Sequence, residues 1–118
     1  MDYNKDLKGK LSFNESMLYG FDTLKGYWDS TLPQLAFDYQ IAFAKGLGEF
    51  NKEPFYEKLD EIVATAFGRL KSAMTYYINE KFMDEFNENL PSLEYKFVSS
   101  LTERIKIDLD DLLYDDEF

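Results

Sequence analysis

The chain has 118 residues, with 23 acids against 13 bases, no histidine and no cysteine, for a formal net charge of −10. That excludes a disulfide framework, thiolate metal sites, cysteine nucleophiles and histidine general bases, and it disfavours nucleic acid or an anionic membrane as a direct partner. Hydrophobic residues at 45% predict one folded domain over residues 1–118, and aromatics at 18% exceed what a small core encloses, which points to an exposed interface or a homodimer.

The opening segment MDYNKDLKGKLSF has no apolar run of the signal-peptide kind, and no later stretch approaches the roughly 20 apolar residues that span a bilayer. The expectation is a soluble, cytoplasmic protein. Ser12 and Glu15 have the spacing of a capping box, and Phe13, Met17, Phe21, Leu24 and Trp28 recur at helical spacing. These predict a first helix near residues 12–28. Asp29, Ser30 and Thr31 offer N-caps for a second, with Pro33 in its first turn and Gly46 and Gly48 as its stop.

Pro54 opens the longest periodic run. Leu59, Ile62, Val63, Ala66, Phe67, Leu70, Ala73, Met74, Tyr77 and Ile78 form one stripe, which Phe82 and Phe86 extend. The pattern predicts a long central helix, kinked near Asn79 and broken by Asn87, Asn89 and Pro91. From Ser92 to Leu113, Leu93, Phe97, Leu101, Ile105, Leu109 and Leu112 fit a helix, whereas RIKIDLD alternates like a strand. With no partner strand in the sequence, helix is favoured. The expected fold is all-α, a small acidic domain of about four helices.

Little here supports catalysis. There is no phosphate-binding glycine loop, and Asp108, Asp110 and Asp111 are followed by leucines where a calcium loop needs glycine. No catalytic residue, no cofactor and no metal site is expected.

Charge is the distinctive feature. Residues 1–78 carry 11 acids and 9 bases, whereas residues 79–118 carry 12 acids and 4 bases. On helices, acids three or four apart share a face. Glu53, Glu57 and Glu61, with Asp60 beside them, make one row; Glu80, Asp84 and Glu88, with Glu85, make a second; Asp108, Asp111 and Asp115 make a third. Asp110, Asp116 and Glu117 join the third, and the second and third rows are expected to be one continuous surface. Such rows can be plain solvated faces, or they can imitate the phosphates of nucleic acid for a basic cleft.

The stretch DSTLPQLAFDYQIAFAKGL, with Asp29, Leu32, Pro33 and Asp38, resembles phage antirestriction DNA mimics of the "overcome classical restriction" type. The following EIVATAFGRLKSAMTYYINEKFMDEF is similar to that family's next long helix, so the resemblance spans about residues 29–88. It implies an all-helical fold, homodimerisation and binding in the DNA-binding cleft of a restriction or other host-defence enzyme. The alternative is an acidic helical adaptor, or an inhibitor of the anti-CRISPR kind, acting through aromatics such as Tyr27, Trp28, Phe37 and Phe86.

Overall fold

A computed structural model describes residues 3–46 and 50–115. Three long helices make up most of the molecule: α1 (Phe13–Gly46), α2 (Glu53–Tyr77) and α3 (Met83–Asp115). Short 3-10 turns at Lys5–Leu7 and Glu80–Phe82 precede α1 and α3. Among the described residues there is no sheet strand, and no helix is long and apolar enough to cross a membrane.

α1 begins at the expected capping box. The Ser12 N–H donates to Glu15 Oε1 at 3.1 Å, and the Glu15 N–H donates to Ser12 Oγ at 3.2 Å. The helix then continues past residue 28, so the two helices expected over residues 12–46 are one. Pro33 lies inside it, where a proline removes one backbone hydrogen bond. The carbonyl so freed belongs to Asp29, on the exposed side where water can reach it. On the other side, buried Leu35 and Tyr39 hold the helix to the core.

α2 carries the stripe read from the sequence, with nine buried side chains from Leu59 to Tyr77. It stops earlier than expected. Ile78 is extended, and its neighbours bond to the amino-terminal segment. The Leu11 N–H donates to the Tyr77 carbonyl at 2.9 Å, and the Asn79 N–H donates to the Leu11 carbonyl at 2.8 Å. The Gly9 N–H adds a bond to Tyr76, and Gly9 itself has φ of +67°, which favours glycine. Asn79 then caps the next turn, its side chain accepting from the Lys81 N–H. The corner falls where a kink is expected near Asn79, but it is a full stop, because the apolar period runs through it unbroken.

The break therefore lies at Ile78–Asn79 and not at residues 87–91, and there are three helices where about four were expected. Pro91 is inside α3, and its lost bond again falls at an exposed residue, Asn87. The ambiguous segment 92–113 is helical throughout.

α2 runs antiparallel to both partners. Tyr19 of α1 meets Tyr77, and Tyr27 reaches Ile62. On the other side Phe67 meets Phe97 of α3, and Tyr56 reaches Asp110. α1 and α3 thus run parallel in an up-down-up bundle of 56 × 26 × 21 Å. One hydrophobic cluster, from Leu24 and Leu35 through the α2 stripe to Phe86, Phe97, Ile105 and Leu109, fills its interior.

α1 and α2 approach each other closely at Gly20. A Cβ there would sit 2.5 Å from Leu70 Cδ1 and 3.4 Å from the Leu70 carbonyl oxygen, whereas a Cβ at Gly26 would meet nothing within 4 Å. Alanine gains roughly 1 kcal/mol over glycine in a helix, but overpacking a core costs about 1–3 kcal/mol. Gly26→Ala is expected to raise the melting temperature and Gly20→Ala to lower it, since Leu70 is fully buried and cannot swing into solvent. Equal shifts for both variants would show that the crossing is not tight.

Candidate functional site

The fold sorts the acidic rows by end. Because α1 and α3 are parallel, the carboxyl ends of both meet the amino end of α2. The first row and the third therefore share one pole. The second row lies at the opposite end, at the start of α3. From Glu88 to Asp108 is 20 residues of one helix, or roughly 30 Å. The continuous surface expected from the second and third rows is thus two separate ones.

At the first pole, Glu53, Glu57, Asp60 and Glu61 are exposed on α2, and Asp108 and Asp111 are exposed on α3. Asp115 belongs to the last turn of α3, while Asp116 and Glu117 lie outside the described residues. Asp108 faces Arg104 at 3.4 Å, a solvent-exposed i,i+4 pair of small energetic weight. At the opposite end Glu80, Asp84, Glu85 and Glu88 are all exposed. The amino-terminal segment brings Lys5, Lys8 and Lys10, together with Asp6, to that end, and among the described residues none of these lysines is ion-paired with the second row.

Asp110 differs from its neighbours. Its carboxylate accepts hydrogen bonds from the Tyr39 hydroxyl at 2.5 Å, Lys52 Nζ at 3.0 Å and the Tyr56 hydroxyl at 3.3 Å. Those donors come from α1, the α1–α2 connection and α2, so one carboxylate on α3 ties all three helices together. Tyr39 is held beneath it by edge contacts with Phe50 and Phe55. Lys106 lies 4.7 Å over the Tyr56 ring and steadies that donor from α3. Burial pushes the Asp110 carboxyl up, but the bonds from Tyr39, Lys52 and Tyr56 and the Lys52 charge outweigh it and hold the group below its ordinary value. Tyr39 moves the other way, because burial and the adjacent carboxylate both oppose a phenolate.

Sequence reading placed Asp110 in the acidic surface and did not foresee Tyr39, Lys52 or Tyr56. The chain separation of 71 residues between Tyr39 and Asp110 leaves no local signal. Of the aromatics expected at the surface, Phe37 is 57% exposed, Tyr27 and Trp28 are half-buried, and Phe86 is buried against Phe13. Leu18, Phe21, Phe43, Tyr95 and Ile107 are exposed although the pattern did not single them out as such.

The acids at the carboxyl end of α3 sit badly for stability. α3 has no base in its last turn, and its carboxyl end carries the negative end of the helix dipole. Counting the three helix ends that meet here, the chain carries ten acids (Asp38, Glu53, Glu57, Asp60, Glu61, Glu103, Asp108, Asp110, Asp111 and Asp115) and five bases (Lys45, Lys52, Lys58, Arg104 and Lys106). The excess is five negative charges, spread over three helix ends. Among the described residues, no three carboxylates converge closely enough to hold a metal ion. No protein-family model, curated protein or solved structure matches the chain.

A folded pKa below the unfolded one means that Asp110 contributes stability above the ordinary value of 3.8 and loses it as pH falls through the lowered value. With its side chain 35% exposed, the contribution is discounted for solvent. Asp110→Asn is expected to cost about 1–2 kcal/mol at neutral pH, and the gap between variant and parent should close below pH 3.8. Urea melts of both proteins across the acid range measure this. A gap that stays constant down to pH 2 would remove Asp110 from the role given to it here.

Proposed function

We propose that this chain is a helical DNA mimic that lays its acidic pole into the basic DNA-binding cleft of a host-defence enzyme of the restriction type and so excludes DNA. The observation that carries this reading is the run of carboxylates at the carboxyl end of α3, against the helix dipole and without a base in the last turn. A merely solubilising surface would gain stability from lysines there. A net excess of carboxylates on a rigid scaffold instead suits a cleft lined with lysine and arginine. The resemblance of residues 29–88 to the antirestriction mimics supports the same reading.

A second reading is favoured by the apolar side chains left exposed on α1, Leu18, Phe21, Phe37 and Phe43. In it, the chain is an adaptor or an inhibitor of the anti-CRISPR kind whose affinity comes from those aromatics, with charge serving only to steer. Salt separates the two, because contacts of the phosphate-mimic type weaken steeply with ionic strength.

The variant that tests the first reading neutralises Glu57, Asp60, Glu61 and Asp111 together and leaves the structural Asp110 in place. It should melt no lower than the parent, because Asp111 is a cost of a few tenths of a kcal/mol against the α3 dipole. It should also lose most of its ability to compete with duplex DNA for restriction-type enzymes at low salt. Each single Asn or Gln change should have little effect. If the fourfold variant inhibits as the parent does at every salt concentration, mimicry is wrong. Loss of inhibition on changing Phe37 and Phe43 would then establish the adaptor.

A further inference from the structure

Away from the acidic pole, α1, α2 and the amino-terminal segment line an open groove of about 750 Å³ whose chemistry is of a different kind. Arg69 of α2 lies 4.6 Å over the ring of Tyr27, which fixes the plane of its guanidinium. Among the described residues Arg69 has no ion pair, so the edge of the guanidinium is left for an oxyanion. Eight residues along the same helix, roughly 12 Å away, stands Tyr77. It is only 2% exposed yet lines the groove. Its oxygen accepts from the Asn4 N–H at 2.7 Å, which uses a lone pair and leaves the hydroxyl proton with no acceptor among the described residues. A buried donor without an acceptor is costly unless something else supplies one. Beside it the half-exposed ring of Tyr19, 5.2 Å from that of Tyr77, gives an aromatic surface.

Between these two ends, on the α1 wall, lies Asp22, exposed and without an ion pair among the described residues. The order along the groove is thus aromatic faces with a hydroxyl donor, then a carboxylate, then a stacked guanidinium. The geometry points to a binding site for a nucleoside monophosphate. The base stacks on Tyr19 and takes the Tyr77 hydroxyl proton on a ring nitrogen or carbonyl. The ribose hydroxyls donate to Asp22, as a sugar diol does to an acidic side chain in dinucleotide sites. The phosphate lies on Arg69. Tyr77 and Arg69 line the same groove from backbone positions roughly 12 Å apart along α2, so a ligand that uses both must be aromatic at one end and anionic at the other. A bare phosphate would leave the tyrosines unused, and Asp22 would repel it.

Gly26 provides a test that leaves the fold intact. It lines the groove, and a Cβ there would meet nothing within 4 Å, so Gly26→Phe fills the space without touching the core. Isothermal titration calorimetry on the full chain, with adenosine monophosphate as the probe, should give one site per chain. Arg69→Gln should weaken it at least about tenfold, Tyr77→Phe about threefold to tenfold, and Gly26→Phe should abolish it, with melting temperatures confirming folded variants. Adenosine and inorganic phosphate, each lacking one end of the ligand, should bind at least about tenfold more weakly. Absence of binding at millimolar nucleotide, inorganic phosphate binding as tightly as the nucleotide, or affinity unchanged by both Arg69→Gln and Gly26→Phe would each overturn the proposal.

Discussion

The apolar stripe of α2 is the constraint from which the rest follows. Nine buried side chains from Leu59 to Tyr77 cover too wide an arc for one partner helix, so α1 packs on one flank and α3 on the other. Both connections to α2 are short, and short connections make neighbouring helices antiparallel. α1 and α3 must then run the same way. That brings Tyr39 of α1 and Asp110 of α3 to the same level, and it brings the acids at the end of α3 beside those at the start of α2. The acidic pole is in this sense a consequence of core packing, with the charges supplied by surface positions that the core leaves free.

What could be read from residues alone was what depends on neighbours in the chain. The Ser12–Glu15 capping box and the α2 stripe are local patterns, and both are present as read. Pro33 and Pro91 misled for the opposite reason. Each is a local breaker, but in each helix the packed face outweighs one lost backbone bond whose carbonyl is open to water. The corner at Ile78 is set by Leu11, 67 positions away, which takes the backbone bonds that would otherwise continue α2. A window over residues 70–86 suggests a kink near Asn79, but not that the helix ends there or what ends it.

The candidate site divides along the same line. That α2 and α3 bear rows of acids is legible from spacing. Which acid is structural is not. Asp108, Asp110 and Asp111 lie within four residues, yet only Asp110 points at the Tyr39 and Tyr56 hydroxyls, and its neighbours turn outward. A helix turns 100° per residue, so adjacent acids necessarily differ in role. That the amino-terminal lysines lie at the end that holds Glu80 and Glu85 is equally invisible before the fold is known.

Helix dipoles sharpen the asymmetry between the two ends. Each helix carries about half a unit of positive charge at its amino end and half a unit of negative charge at its carboxyl end. With α1 and α3 parallel, the acidic pole receives two carboxyl ends and one amino end, and the opposite pole receives the reverse. Backbone charge therefore adds about half a negative unit to the pole that already has five acids in excess, and about half a positive unit to the end that collects Lys5, Lys8 and Lys10. The dipole contribution is fixed in the scaffold and cannot be removed by changing any side chain. A basic cleft approaching this rod meets one clearly negative end, and the direction of approach is set by the same parallel packing that the α2 stripe requires.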